Sequence, residues 1–156
     1  MNLLFAPVAQ IRINRTNSEK NYPWPQELAD SLKQAGHALL QVGAAGEKQY
    51  ADRFRSNPSW KVLEGMIEEC DSFVSVDTFL QHFAWLKRKR GIVIFSQTDP
   101  LIFGHPDFHI CLVKDRKYLR QGWRQFDTFE GLELNDEAFV SPIEVLKSLD
   151  SLQVAH

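Results

Sequence analysis

Gly91-Ile92-Val93-Ile94-Phe95 is a nearly continuous apolar run held between Arg90 and Ser96. A strand that is apolar without alternation is covered on both faces, as in a parallel sheet packed between helices. The rest of the chain reads consistently with that constraint. Leu3 to Ile13 carries two short apolar runs split by Pro7, and one of them supplies a first strand. A polar loop, Asn14 to Asn21, follows. Pro25 suits the first turn of a helix, where its missing N–H costs nothing. Leu28, Leu32 and Ala35 recur at helical spacing, and Gly36 is a natural C-terminal stop. His37 to Gly43 reads as a short buried strand ending in small residues. Ala44 to Arg55 reads as a helix with Tyr50 and Phe54 on one face, ended by Ser56-Asn57-Pro58. In the next helix Trp60, Leu63, Ile67 and Cys70 form the apolar face. Phe73 to Val76 is a strand. Thr78 to Arg88 is a helix whose apolar positions are Leu80, Phe83, Ala84 and Trp85, and Phe108 to Val113 is one more strand. Residues 113–140 form an irregular segment rich in aromatic and charged residues. Ser141-Pro142-Ile143-Glu144 has the form of a capping box and opens a terminal helix over 141–150.

Strands alternating with helices predict an α/β fold with a mainly parallel sheet. Ligands of such sheets sit outside the carboxyl ends of the strands. Four loops are therefore singled out: Asn14–Asn21, Gly43–Glu47, Asp77–Phe79 and Ser96–Pro106.

Bulk properties narrow the function classes. The 156 residues fit one domain, 1–156. A net charge of −2 gives no basic face for nucleic acid. The one basic run, Lys87-Arg88-Lys89-Arg90, suits a helix end, where cations complement the dipole. Cys70 and Cys111 lack metal-ligand spacing and read as reduced thiols, which suits a cytoplasmic protein. Met1-Asn2-Leu3-Leu4-Phe5 reads as a strand and not as a signal peptide. No apolar stretch approaches the roughly 20 residues of a membrane span.

Several strand-end residues have the chemistry of a phosphorylated-ligand site. The N–H groups of Thr78, Phe79 and Leu80 open a helix and point toward an anion, for which a diphosphate is the natural guest. Asp77 would repel a phosphate, so it serves either a sugar hydroxyl or, as spacing favours, the helix N-cap. Lys20 is a solvated loop lysine or a phosphate ligand. Glu47 can accept both hydroxyls of a ribose, or it can supply favourable charge to the first turn of a helix. His82, one turn into its helix, reads as packed or solvated. No dinucleotide fingerprint, P-loop, nucleophile elbow or zinc-protease motif occurs.

Taken together, Val76-Asp77-Thr78-Phe79-Leu80-Gln81-His82 and Phe95-Ser96-Gln97-Thr98-Asp99-Pro100 resemble two motifs of the ADP-heptose heptosyltransferases, glycosyltransferase family nine. The family patterns are Asp-(Thr/Ser)-Gly-x-x-His and Phe-Gly-x-Thr-(Asp/Ser)-Pro. Lys20-Asn21-Tyr22-Pro23-Trp24-Pro25 is similar to the family's Lys-x-Trp-Pro segment, and Val42-Gly43-Ala44-Ala45-Gly46-Glu47 to its Gly-rich turn ending in an acid. The resemblance spans residues 10–112. It implies a single Rossmann-like domain with helices on both faces, corresponding to the donor-binding, C-terminal half of a two-domain GT-B enzyme. It implies Lys20 on the donor diphosphate, Glu47 on the ribose, Asp77 near the transferred sugar, and N–H groups of Thr78, Phe79 and Leu80 on phosphate. His82, Thr98 and Asp99 would support these from behind. The nucleotide-diphosphate sugar would be a substrate, with no cofactor and no metal.

The departures are specific. Phe79 and Gln81 stand where the family has small residues, and Ser96-Gln97 stands where it has Gly-Pro. The acceptor half and its general base have no counterpart in these residues. Three functions follow: a glycosyltransferase completed by a partner subunit or second copy, a non-catalytic nucleotide-sugar module, or a degenerate interaction domain. The last would use Tyr118, Trp123, Phe126 and Phe129.

Overall fold

A computed structural model describes residues 1–9, 18–120 and 135–153. Six strands lie parallel in one sheet: β1 (Asn2–Ala6), β2 (Ala38–Gly43), β3 (Arg53–Ser56), β4 (Ser72–Val76), β5 (Ile92–Phe95) and β6 (Ile110–Val113). Their order is β3-β2-β1-β4-β5-β6. This is the doubly wound Rossmann order, whose switch point falls between β1 and β4. Strand β1 pairs with β2 from Asn2↔Ala38 and with β4 from Leu3↔Ser72.

The helices are α1 (Pro25–Gln34), α2 (Trp60–Glu69), α3 (Phe79–Leu86), α4 (Pro100–Phe103) and α5 (Pro142–Gln153). Each begins where the local chemistry allows. Pro25 and Pro100 occupy first-turn positions, while Ser59 and Thr78 accept hydrogen bonds from Val62 N–H and Leu80 N–H. Half of the capping box forms: Glu144 Oε2 accepts from the Ser141 N–H at 2.7 Å, while the Ser141 hydroxyl donates to the same oxygen at 2.6 Å instead of accepting the Glu144 N–H. Gly36 ends α1 at φ +83°, a left-handed conformation that costs glycine little.

Side-chain alternation along the strands divides the core between the two faces. Leu3, Phe5, Val74, Val76, Ile92 and Ile94 pack against Leu28 and Leu32 of α1 and Val145 and Leu149 of α5. Leu4, Phe73, Val93 and Phe95 pack against Leu63 and Ile67 of α2 and Leu80 and Ala84 of α3. Each fully buried leucine contributes about 2 kcal/mol. Helices therefore cover both faces, as the apolar run of β5 requires.

Three expectations are corrected. Residues 44–55 do not form a helix: Gly46 adopts φ +86°, and 53–56 form β3 on the sheet edge. The cause lies outside the segment. The Gln41 carboxamide accepts from Tyr50 N–H at 2.7 Å and donates to the Lys48 carbonyl at 2.8 Å, pinning the loop. Trp60 does not join the core but is 67% exposed, because it opens α2 beyond the end of the sheet. The loop after β5 holds a short helix, α4, capped by Asp99. In the irregular segment, 116–118 and 136–138 form single 3-10 turns. Tyr118 is half-buried with Lys117 over its ring, while Trp123, Phe126 and Phe129 lie outside the described residues.

The basic run sits where a helix dipole favours it. Helix α3 ends at Leu86 with Lys87 as its C-cap. Lys87 pairs with Glu64, Lys89 donates to the Cys70 carbonyl, and Arg90 donates to the Phe108 carbonyl. Both cysteines are free, and Cys70 is buried. Among the described residues, no helix is long and apolar enough to cross a membrane.

Candidate functional site

The switch point places two sequence-distant loops side by side. After β1 the chain turns toward α1 on one face, and after β4 it turns toward α3 on the other. The crevice between them is bridged by Lys20 and Asp77, with Nζ 2.7 Å from Oδ2. The pair is 57 residues apart in sequence. Lys20 remains partly exposed (27% of its side chain), whereas Asp77 is buried (5%).

Asp77 is saturated with donors. Besides Lys20, the Thr98 hydroxyl donates to Oδ2 at 2.7 Å and the Gln81 amide donates to Oδ1 at 2.6 Å. Three donors satisfy both oxygens of the buried carboxyl group. They also define its role in this structure: it fixes Lys20 at the mouth of the crevice. The helix N-cap is Thr78, not Asp77. Thr78 Oγ1 accepts the Leu80 N–H at 3.3 Å, so that group is directed at its own cap. The N–H groups of Thr78 and Phe79 have no protein acceptor among the described residues. They lie at the start of α3, where the helix dipole adds positive potential.

The family departures acquire a physical meaning here. Gln81 is fully buried and, one helical turn on from Asp77, supplies one of its three donors. A small residue could not. Ser96 donates to the Glu19 carbonyl at 3.1 Å, and Gln97 O accepts from Arg120 N–H at 2.7 Å. Arg120 in turn donates to the buried Glu19 carboxylate at 2.7 Å. The residue preceding Lys20 is thus clamped from β5 and from position 120, which steadies the loop that carries the lysine. Glu19, Gln81 and Arg120 had no signal in the sequence beyond the i, i+4 relation of Gln81 to Asp77.

Glu47 lies on the neighbouring turn, after β2. Its Oε1 accepts from Ala44 N–H at 2.8 Å. Its Oε2 is buried without a hydrogen-bond partner among the described residues. The carboxylate folds over Gly43 so closely that a Cβ there would collide with Oε2. Burial pushes the Glu47 carboxyl above its ordinary range, against a smaller opposing effect of the Ala44 N–H. No helix follows this turn, so the helix-dipole role for Glu47 does not apply. Asn57 ties the turn to the start of α2: its N–H donates to the Gly43 carbonyl at 2.8 Å, and its Oδ1 accepts from Ala45 N–H at 3.2 Å.

The structure does not bring His82 to Asp77. His82 is exposed on α3, with Nδ1 2.9 Å from His105 Nε2. Thr98 touches Asp77 directly. Asp99 sits one residue further out, accepting from Leu101 N–H at 2.9 Å and pairing with Arg116 at 2.8 Å. Phe79 is 54% exposed, and its ring meets Trp60 edge-on at 5.6 Å. Among the described residues, no group of three or more histidines, cysteines or carboxylates is arranged to hold a metal ion.

No family model matches the chain, and no curated protein matches it. The solved structures give a match to the glycosyl transferase family 9 protein of Veillonella parvula DSM 2008, with a TM-score of 0.71 at 12% identity. The match covers 99% of this chain and 47% of that one. The shared feature is the fold. At this identity the likeness carries the architecture and not the residue roles. This chain spans about half the length of that transferase.

Proposed function

We propose that the chain binds the diphosphate of a nucleotide-sugar at the β1–β4 crevice. The observation that carries this reading is Lys20, held 2.7 Å from Asp77, the residue that precedes the N–H groups of Thr78 and Phe79, unpartnered among the described residues. An ammonium and two N–H groups gathered at one helix start suit two phosphates. Their charge would be met by Lys20 and the α3 dipole rather than by a divalent cation. Glu47, with one carboxylate oxygen already shielded and unpartnered, would accept from the ribose hydroxyls. The family motifs and the shared fold support a glycosyltransferase-like assignment with a donor of the ADP-heptose type. Sugar transfer would then use an acceptor surface and a general base supplied by another domain, a partner subunit or a second copy.

One observation favours a second reading, binding without turnover. Asp77 already receives three hydrogen bonds, which leaves it poorly placed to act on a reacting sugar. Calorimetric titration with ADP-, UDP- and GDP-sugars tests the shared part of both readings. Saturable binding that weakens in Lys20→Ala is expected, and folded protein that binds none of them would overturn both. Sugar release or transfer in the presence of acceptors then separates the transferase from the binding module.

A further inference from the structure

Beside the crevice stands an aromatic surface that neither the family motifs nor the phosphate reading uses. Trp60 and Phe79 are the first residues of α2 and α3. Both therefore project at the carboxyl end of the sheet, the end that holds the proposed site. They are 67% and 54% exposed, and their rings meet edge-to-face at 5.6 Å and 85°. Phe83, one turn further along α3, meets Trp60 at 5.5 Å and 66°. Each contact is edge-to-face, so it covers at most one ring face in each pair. The cluster holds Trp60 in place while leaving most of it open to solvent.

Its position relative to the polar groups is specific. Phe79 contributes both a ring to this surface and an N–H to the phosphate end. Trp60 follows Ser59 and Asn57, and Asn57 is bonded at two points to the turn that carries Glu47. The aromatic surface thus joins the phosphate-facing turn to the carboxylate-bearing turn. A nucleoside diphosphate offers a part to each of the three: phosphates, a ribose with two vicinal hydroxyls, and a flat aromatic base.

We propose that Trp60 and Phe79 form the stacking platform for the nucleobase of the nucleotide, with Trp60 as its main surface. Base–aromatic stacking is sequence-tolerant but strongest for large π-surfaces, so a purine is bound more tightly than a pyrimidine. Phe79 is then a specificity residue of this chain: where the family has a glycine, the added ring enlarges the platform and does not seal the turn. The inference rests on the diphosphate reading above, and the experiment separates the two.

The test compares inorganic pyrophosphate, ADP and UDP on the wild-type chain, Trp60→Ala, Trp60→Phe and Phe79→Ala, by calorimetry. Trp60 is exposed, so its replacement leaves the fold intact, which circular dichroism checks. The platform predicts that ADP binds at least about tenfold more tightly than pyrophosphate, with UDP between. It predicts that Trp60→Ala removes most of that margin while pyrophosphate binding is unchanged. Trp60→Phe restores part of it, and Phe79→Ala loses a smaller share. Pyrophosphate binding with no further gain from a base would overturn the platform and leave the phosphate site standing. Equal losses of ADP and pyrophosphate in Trp60→Ala would also overturn it. So would unchanged ADP affinity in Trp60→Ala, including the case in which sedimentation shows that the variant has lost self-association. Wild-type protein that binds neither pyrophosphate nor nucleotide overturns the phosphate site and the platform together.

Discussion

The turn after β4 and the turn after β2 both present a carboxylate at the carboxyl end of the sheet, yet their surroundings are opposite. Asp77 is buried with three donors on its two oxygens. Glu47 has one backbone donor on Oε1 and, among the described residues, none on a buried Oε2. A saturated carboxylate is part of the scaffold: it holds Lys20 still. An under-satisfied one is held short of its hydrogen-bonding capacity, and a ligand with hydroxyl donors would complete it. The difference separates a carboxylate built into the scaffold from one with hydrogen-bonding capacity left over.

The largest effect that can break this comparison is Asp77→Ala. It strands the Lys20 ammonium, the Thr98 hydroxyl and the Gln81 amide, and should cost about 3 kcal/mol in denaturant unfolding. Glu47→Gln should cost nothing in the same measurement. Burial raises the Glu47 pKa, so the fold favours the protonated carboxyl: the stability this adds is fully present below the ordinary carboxylate pKa and is lost as pH rises through the raised value. Equal losses from the two substitutions would erase the distinction.

The next effect concerns the support beneath Asp77. His109 is buried, and its Nε2–H donates to the Gln81 carbonyl at 2.9 Å, while Nδ1 has no partner among the described residues. Desolvation holds its pKa down at about 4, and the neighbouring His105, His82 and Arg90 act in the same direction. A histidine with a depressed pKa is neutral in the fold, so the unfolded chain takes up the proton first. Stability should therefore fall as pH drops from about 6.5 toward about 4. That loss is on the order of 3 kcal/mol. His109→Gln should flatten this acid limb in urea titrations run at stepped pH. An unchanged limb would place the responsible group elsewhere.

A smaller effect sharpens the ligand side. Gly43→Ala should push the Glu47 carboxylate off its turn and weaken nucleotide binding about tenfold, equivalent to about 1.4 kcal/mol. Pyrophosphate binding should stay as in the wild type, since neither residue belongs to the Lys20, Thr78 and Phe79 group proposed to hold it. The smallest effect serves as the reference. Ser141→Ala removes the hydroxyl that donates to Glu144 at the start of α5 and should cost about 1 kcal/mol of stability. Ligand affinity should not move. If it does, lost stability alone would account for the other binding changes.

How much of this was legible in the sequence follows from how local each cause is. The apolar run of β5 required two covered faces, and Pro25, Gly36 and Ser141-Pro142-Ile143-Glu144 marked helix ends because the chemistry of a cap lies within four residues. Lys20, Asp77 and Thr98 could be named from motifs, and the structure brings these three into contact. What was not legible depends on distant partners. Strand β3 has the burial pattern of an exposed edge and the charged residues Arg53 and Arg55 that protect one. Its loop is shaped by Gln41, seven to ten residues earlier. Misreading it hid the loop that carries Asn57 and placed Trp60 in the core. The Glu19–Arg120 pair spans 101 residues and leaves no local trace. His82, which matched a motif position, is turned toward His105 instead of the crevice.

The central claim is that the N–H groups of Thr78 and Phe79, with Lys20, receive a diphosphate. Backbone amide shifts followed by nuclear magnetic resonance during an ADP titration test it most directly. The account predicts saturable shifts that are largest at Thr78 and Phe79, extend to Lys20 and the 43–47 turn, and vanish in Lys20→Ala. Amides at 78 and 79 that stay unmoved at saturating nucleotide would contradict it.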